Sequence, residues 1–417
     1  MKILINAIVL FFFSFTLFAQ QTLYTKRDNN YIREGAGPYF NLVEILPGGK
    51  KLKKIGEEEG WFKVTLENGK SGFISKVSVS DVETKKDYSS KFANKWSKSN
   101  VSRTGLAGAI KGLKGKSNKT GQGDPELLMS LMDNGITSDE YRYFMREIKA
   151  NRSSNIGKSK ILNKEIDIPE YDPAYEEQQV GFGIASRLLK DGVFNNVELQ
   201  KYINLVARAL INNTKFYDWE FHVIILDNKF VDGFAVPGGY IFITKGAIQN
   251  CTDESELAAV IAHEMGHIIM KHGLQEMTKR TGHIKMDDAF SELEDETGGW
   301  DEETEKVEDE MEDVIVSSYE RIVHDRLLEY EVEADRIAAV LLAESGYDPF
   351  GISKIHTRLA TQQQKTSDIF DSNYLAPNDL SKRAGLISSF TNQNFSQQNP
   401  GATCKERFNR MKRLVIK

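Results

Sequence analysis

The sequence predicts a multidomain protein in which a small all-β barrel is followed by a mainly α-helical α+β domain. Residues 23–79 contain short apolar runs broken by turns, whereas from residue 176 onward amphipathic segments with helical periodicity surround two apolar strands. The 417 residues are 40% hydrophobic and 27% charged, which suits folded domains better than a disordered or fibrous chain. With two Cys, the chain cannot form a disulfide-dense scaffold or a four-cysteine zinc module. Any metal must therefore be bound mainly by His and carboxylates.

The first nineteen residues are typical of a secretory signal peptide. Lys2 is a short basic start, Ile3 to Phe13 is almost continuously apolar, and Ala19 is a small residue suited to signal-peptidase cleavage. An uncleaved membrane anchor is the alternative, but the apolar stretch is short for a bilayer span. We therefore expect an exported protein, periplasmic or extracellular, with no transmembrane segment in the mature chain.

Turn dipeptides divide residues 23–79 into short strands. Pro47-Gly48 and Asn68-Gly69 are typical hairpin connections, and the pattern between them predicts a small all-β barrel. The stretch resembles a bacterial SH3-like domain. Three pairs of adjacent residues carry the resemblance: Ile32-Arg33, Gly60-Trp61 and Gly72-Phe73. The resemblance implies contact with cell-wall peptides. A module that only positions the rest of the chain is the alternative.

Residues 80–170 are predicted to be a linker with short helices. From Asp81 to Lys119 the chain is rich in Lys, Ser, Asn and Gly and lacks periodicity, as in a flexible tether. Pro125 to Ile148 then has a helical apolar pattern, followed by a second polar stretch. Residues 176–417 form the third predicted unit.

One acidic segment dominates the charge distribution. Met286 to Asp313 contains fifteen Asp or Glu and one Lys, a net charge of −14 in a chain whose formal charge is −6, so the remainder carries +8. This positive charge is too dilute for a nucleic-acid footprint, and we expect no nucleic-acid partner. The acidic segment is either a solvated excursion or a lid over a cleft.

The strongest chemical signal is His263-Glu264-Met265-Gly266-His267. Asp253 followed by Glu256 resembles a capping box, so a helix that carries the motif is predicted to begin there. Because the two His are four residues apart, both imidazoles can bind one Zn²⁺, while Glu264 can address a metal-bound water. The alternative is a helix with two structural His, whose buried rings would need other hydrogen-bond partners.

A third ligand is expected because catalytic zinc usually takes three protein ligands. The segment from Glu329 to Asp335 is helical, and Glu331 and Asp335 share one face. One of them can bind zinc while the other braces a ligand imidazole. Glu329 and Glu333 lie on another face, where solvated carboxylates are expected.

Four motifs occur in the order found in one peptidase family. They are the run Phe234 to Gly246, the His-Glu-Met-Gly-His helix, the run Glu331 to Asp335, and Gly346-Tyr347-Asp348-Pro349. With these motifs, residues 176–414 resemble metallopeptidase family forty-eight, which includes CAAX prenyl proteases, HtpX heat-shock proteases and BepA-type and Oma-type enzymes. The resemblance implies a gluzincin-like zincin metalloprotease fold. It also implies one Zn²⁺ bound by His263, His267 and Glu331, with Glu264 as general base and Asp335 beside the ligands.

Two departures from the family pattern stand out. Asp232-Gly233 occupies the position where the family often has Asn-Ala, which is expected to alter substrate contacts. The family also often has His-Pro followed by an Arg near the zinc. The candidates here, each without the His, are Asn399-Pro400 with Arg407 and Ala376-Pro377 with Arg383. We favour Arg407 as an electrophilic catalytic partner because Phe408 and Met411 after it continue the family's helical pattern.

The predicted function is that of an exported zinc-dependent endopeptidase acting on envelope or secreted proteins. Pro237 favours a sheet-edge position, since it cannot donate a ladder hydrogen bond. An extended protein or peptide substrate is expected to pair with the strand that contains Gly239, Tyr240, Ile241 and Phe242. Two alternatives remain open. One is an envelope binding or chaperone-like protein with weak turnover, and the other is a wall-peptide hydrolase targeted by the SH3-like module.

Overall fold

The computed structural model describes residues 21–27, 30–38, 40–58, 60–83, 124–132, 135–150, 175–189, 192–212, 214, 216–273, 327–363, 377–395 and 400–416. The chain divides into two compact units, Met1–Lys98 and Ser99–Lys417. The predicted signal peptide, most of the linker, the acidic segment 286–313, Ala376 and Asn399 lie outside the described residues. Within the described ranges, no helix is both long and apolar enough to cross a membrane.

The first unit is an antiparallel β-sheet that curls around a small apolar core. Its strands are β1 (Thr22–Thr25), β2 (Asn30–Arg33), β3 (Leu42–Leu46), β4 (Lys51–Glu58), β5 (Trp61–Thr65), β6 (Ser71–Ser75) and β7 (Val79–Ser80), in the order β3-β2-β6-β5-β4-β1-β7. The β5–β6 turn contains Gly69 at φ 82°, a left-handed conformation that favours glycine. Ile32, Val64 and Ile74 are fully or almost fully buried between the strands. The predicted all-β module is confirmed.

The second unit contains a three-stranded sheet whose order corrects one prediction. Its strands are β8 (His222–Leu226), β9 (Gly233–Val236) and β10 (Tyr240–Thr244), in the order β8-β10-β9. The Pro237-Gly238-Gly239 turn folds β9 back onto β10, and β8 pairs with β10 on its other side. The strand that includes Tyr240, Ile241 and Phe242, with Gly239 at its start, is therefore central. The expectation that these residues offer an open edge to substrate is wrong, and β9 lies at the edge instead.

Helices make up most of the described part of the second unit. They are α1 (Pro125–Met132), α2 (Ser138–Ala150), α3 (Tyr175–Leu188), α4 (Val197–Ile211), α5 (Lys245–Asn250), α6 (Glu254–Ile269), α7 (Leu328–Ser345), α8 (Gly351–Gln363), α9 (Pro377–Asn394) and α10 (Lys405–Ile416). The large buried core of the unit includes residues from α2, α4, α6, α7, α8, α9 and α10. The predicted mainly helical α+β domain is confirmed.

Helix α6 begins where the sequence predicts. The Asp253 side chain accepts a hydrogen bond from the Glu256 backbone N–H at 3.2 Å and caps the helix. Midway along, α6 approaches α7 so closely that a Cβ on Gly266 would lie 2.9 Å from the Ala334 Cα. Glycine is required here for space. The close approach brings the His-Glu-Met-Gly-His turn against the Glu331 to Asp335 turn.

Candidate metal centre

The structure brings the three predicted metal ligands together. The Nε2 atoms of His263 and His267 are 3.1 Å apart. Glu331 places Oε2 3.4 Å from His263 Nε2 and Oε1 3.3 Å from His267 Nε2. The three donor atoms lie within 4.8 Å of one another, and His263 and Glu331 are buried. Two imidazole nitrogens and one carboxylate thus converge on a single point.

The donor set fits a divalent cation such as Zn²⁺. Two His and one Glu are a known catalytic zinc set, and three protein ligands leave a position for water. Glu331 Oε1 is buried and accepts no hydrogen bond from the residues that the structure describes, and it lies 3.3 Å from His267 Nε2. Such burial is costly for a carboxylate unless a cation compensates it. Burial opposes charge on the His263 ring, yet Asp335 and Glu331 outweigh it and raise the pKa of His263 to about 9. The cluster therefore favours positive charge.

Asp335 contacts His263 on the side of the ring that faces away from the cluster. Its Oδ1 lies 2.8 Å from His263 Nδ1, the nitrogen that faces away from the cluster. His356 Nε2 also lies 2.8 Å from this oxygen. Burial favours the neutral acid, but Arg383 and His356 hold the pKa of Asp335 well below its usual range. A carboxylate at this distance can accept a hydrogen bond from His263 Nδ1–H.

The arginine at this cluster is Arg383, on α9. Its Nε and Nη2 donate to Asp335 at 3.1 and 2.9 Å, and Nη1 donates to Glu331 Oε2. Arg383 also outweighs the effect of burial on Glu331 and holds the pKa of that carboxylate well below its usual range. One guanidinium therefore keeps both buried carboxylates ionised and in place. In the sequence, Arg383 was one of two candidates for the arginine near the metal, and Arg407 was favoured over it.

Arg407 belongs to a different part of the unit, so the choice of Arg407 as catalytic partner is corrected. It donates through Nε to Glu254 Oε2 at 2.6 Å and through Nη1 to the Phe144 carbonyl at 2.9 Å. Glu254 is the first residue of α6, nine residues before His263, which is roughly 13 Å along the helix. Arg407 is buried at this second position.

Gly233 leaves space for the Glu264 carboxylate to contact the edge strand of the sheet. Glu264 is buried beside the two histidines on α6, and a Cβ on Gly233 of β9 would lie 2.6 Å from its Oε1. A residue with a Cβ at this position would require the carboxylate to shift. The Asp232-Gly233 departure noted in the sequence thus falls where the edge strand contacts the predicted general base.

Two further polar residues contact the cluster: His272, which was not identified from the sequence, and Glu333. His272 Nδ1 lies 3.0 Å from His267 Nδ1, and His272 Nε2 lies 3.0 Å from Glu333 Oε2. Burial and the neighbouring His267 lower the pKa of His272 to about 4. Glu333, expected to be only solvated, is 41% exposed at its side chain but bonds His272. Glu329 is exposed, as expected.

A buried His–His–Glu cluster with a second Glu between the histidines on one helix is the arrangement of a metallopeptidase. Residues 195–397 match the model of Peptidase family M48, and residues 28–80 match that of a bacterial SH3 domain. The chain thus carries a Peptidase family M48 domain preceded by a bacterial SH3 domain.

Relatives with matching segments are named as metalloendopeptidases and proteases. The Arabidopsis thaliana mitochondrial metalloendopeptidase OMA1 is 25% identical over 153 residues, which are 37% of this chain and 28% of that protein. The putative beta-barrel assembly-enhancing protease of Vibrio cholerae is 27% identical over 201 residues, 46% of this chain and 40% of that protein. The Escherichia coli K12 beta-barrel assembly-enhancing protease is 24% identical over 181 residues, 42% and 35% respectively. The chain spans less than half the length of each of these relatives.

Proposed function

We propose that this protein is a zinc-dependent endopeptidase. The observation that carries the proposal is the convergence of His263, His267 and Glu331 at one buried point, with the Glu264 carboxylate beside it. The match to Peptidase family M48 supports metal-dependent proteolysis. The choice of zinc rests on the donor set, which is two imidazoles and one carboxylate.

In the proposed reaction, Glu264 is the general base. A Zn²⁺ ion bound by His263, His267 and Glu331 would supply Lewis-acid polarisation of the scissile carbonyl and acidify the attacking water. Glu264 takes the proton of that water and passes it to the leaving amine. Because Glu264 is buried against Gly233, its carboxylate is held in one place before substrate arrives.

Asp335 and Arg383 are proposed to hold the ligands without contacting substrate. Asp335 orients the His263 ring through Nδ1, and Arg383 ties Asp335 to Glu331. This arrangement keeps Glu331 anionic in a buried site and limits its movement. Arg383 uses its Nε, Nη1 and Nη2 atoms in these contacts, so we assign it a positioning role.

We propose that an extended substrate lies beside β9. This strand is at the edge of the sheet and packs against α6 next to Glu264, whereas β10 is paired on both sides. Recognition along a strand depends mainly on the peptide backbone and gives weak side-chain selectivity. Unfolded segments of proteins are therefore the proposed substrate class.

We further propose that the protein acts outside the cytoplasm on envelope or secreted proteins. The apolar N-terminal sequence and the bacterial SH3 match support export, with contact to cell-wall peptides through the SH3 domain. Two relatives are named beta-barrel assembly-enhancing proteases, which is consistent with an envelope substrate. Cell fractionation, and sedimentation of the protein with insoluble peptidoglycan, would test these points.

The direct test of the catalytic proposal uses casein as an unstructured substrate. Zinc-loaded wild type should cleave casein. The Glu264→Gln variant should retain its zinc, but its kcat should fall by about 10²–10⁴-fold, which is the usual rate contribution of a general base. Glu329→Gln, which changes an exposed carboxylate on α7, is the matched control and should cleave at the wild-type rate.

Two results would contradict the proposal. One is a zinc-loaded Glu264→Gln variant with wild-type activity. The other is a zinc-loaded wild type that cleaves no protein, which would instead favour an envelope binding or chaperone-like role.

A further inference from the structure

His272 is a buried histidine that the proposed reaction does not use. It is 3% exposed and lies three residues beyond the end of α6. One ring nitrogen faces His267 and the other faces Glu333, each at 3.0 Å. The ring also stacks on Tyr330, with centroids 4.2 Å apart and planes 13° apart. Three contacts therefore define both its position and its orientation.

The backbone takes an unusual path to put His272 there. In a continuous helix, a residue five positions after His267 would be rotated by about 140° away from it, since each residue turns about 100°. The helix ends instead, and Lys271 adopts φ 57°, in the left-handed region that a lysine rarely occupies. This turn returns the His272 ring to His267. Strain of this kind is typically kept where a site requires it.

The two contacts of His272 allow one arrangement of protons when both imidazoles are neutral. A carboxylate can only accept, so the His272 Nε2 proton is donated to Glu333. A neutral His272 then has a lone pair on Nδ1, which can accept only from a protonated Nδ1 of His267. In a neutral His267, Nε2 is then unprotonated, and it faces His263 and Glu331. That tautomer is the one able to bind a metal.

We propose that His272, backed by Glu333, is a positioning residue that holds His267 in its metal-binding tautomer and orientation. The inference rests on the proposed function, because it assigns His267 as a metal ligand. At the other histidine, Asp335 contacts His263 Nδ1 directly and takes the corresponding positioning role in the proposal. The two ligands therefore differ, since one has a buried carboxylate and the other a histidine with a half-exposed carboxylate behind it.

The decisive experiment compares two substitutions of the same residue. His272→Phe keeps an aromatic ring to stack on Tyr330 but removes both nitrogens. His272→Gln removes the ring but offers a carbonyl to His267 and an amide N–H to Glu333. Zn²⁺ affinity is measured by competition with a chromogenic chelator, with folding of each variant checked by circular dichroism. We expect His272→Phe to lose about 10–100-fold in affinity and His272→Gln to recover most of it.

Each outcome bears on the proposal. A purely packing role predicts the reverse order, with His272→Phe close to wild type and His272→Gln weaker, and that result would overturn the inference. Equal losses in both variants would also overturn it. A wild type that binds no Zn²⁺ would instead refute the proposed function itself, so the two failures are distinguishable.

A second pair of variants covers the case in which changes at buried His272 prevent folding. Glu333→Ala removes the acceptor at the end of the chain from a partly exposed position. Glu329→Ala removes the same charge from an exposed position one turn earlier on α7. We expect weaker Zn²⁺ binding for Glu333→Ala alone. Equal affinities for the two variants would contradict a role for the His272–Glu333 contact.

Proton nuclear magnetic resonance of the Co²⁺-substituted protein gives a readout that a structural role would not change. The Nδ1 protons of both ligand imidazoles should appear as shifted signals that exchange slowly with solvent, since each is hydrogen-bonded and buried. His272→Phe should lose or broaden one of them and leave the other unchanged. Two unaltered signals in His272→Phe would contradict the proposal.

Discussion

Two buried carboxylates lie near opposite ends of α6, Glu254 on that helix and Glu331 on the neighbouring α7, and they differ in how many hydrogen bonds they accept. Glu254, at the start of α6, accepts from the Tyr202 hydroxyl at 2.7 Å, the Tyr347 hydroxyl at 2.6 Å, and two nitrogens of Arg407. Glu331, which lies on α7 and faces the last turns of α6, accepts from Arg383 through Oε2. Among the described residues its buried Oε1 accepts no hydrogen bond, and it lies 3.3 Å from His267 Nε2.

The difference separates a structural polar cluster from a ligand site. Both carboxylates are paired with a buried arginine, so burial and an ion pair alone do not identify function. The Glu254 cluster has donors for both oxygens and ties α2, α4, α6 and α10 together. The Glu331 cluster instead has an unsatisfied oxygen opposite imidazole nitrogens, and a cation would complete it. Arg407 was assigned to the wrong one of these two clusters.

The largest expected stability effect comes from breaking the satisfied cluster. Arg407→Leu leaves Glu254 buried without its cation and should lower the free energy of unfolding by about 3–5 kcal/mol. Zn²⁺ affinity of the folded fraction should stay at the wild-type value. Urea denaturation measures the first quantity and chelator competition the second. Arg410→Leu, on the exposed face of α10, is the control. Loss of Zn²⁺ binding in a stably folded Arg407→Leu protein would contradict the separation of the two clusters.

A smaller change should affect catalysis without affecting the metal. Gly233→Ala introduces a methyl group that would lie 2.6 Å from Glu264 Oε1, so the carboxylate must move. Displacement of a catalytic group by about 1 Å can cost about 10²-fold in rate, and we expect kcat on casein to fall by that order. Gly385→Ala, with no atom within 4 Å of the added Cβ, is the control. An unchanged kcat in Gly233→Ala would show that Glu264 does not act from this position.

The smallest expected effect tests how fully the Glu254 cluster is satisfied. Tyr347→Phe removes one of the donors to Glu254 Oε1 but leaves Arg407 on that oxygen. The loss should be about 1.5 kcal/mol in the free energy of unfolding, typical of a hydrogen bond to a charged group. Tyr143→Phe, at a 74% exposed position, should change stability by less than about 0.5 kcal/mol. Thermal or urea unfolding of the two variants gives the comparison.

The fold class and the order of its units could be predicted from sequence because they depend on local periodicity and turns. The capped helix at Asp253 is a local signal of the same kind. Spacing along single helices also selected His263, His267, Glu331 and Asp335, which the structure brings together. Their roles as ligands and brace stay proposals.

What the sequence could not predict depends on tertiary pairing. Whether β10 is central or at the edge is decided by the crossover that brings β8 beside it, which no turn signal encodes. Arg383 and Arg407 both lie on helices near the C-terminus, and only packing decides which one meets Glu331. His272 was missed because five-residue spacing is not a helical repeat. Its one sequence signal was a third His shortly after the motif.

The central claim is that Glu331, of the two buried carboxylates, is a metal ligand. Inductively coupled plasma mass spectrometry of protein from a zinc-replete, dialysed preparation tests it most directly. Wild type and Tyr347→Phe should each carry about one zinc per chain, as expected for a single three-ligand site, and Glu331→Gln should carry almost none. A Glu331→Gln variant that retains a full equivalent of zinc, or a wild type that carries none, would contradict the claim.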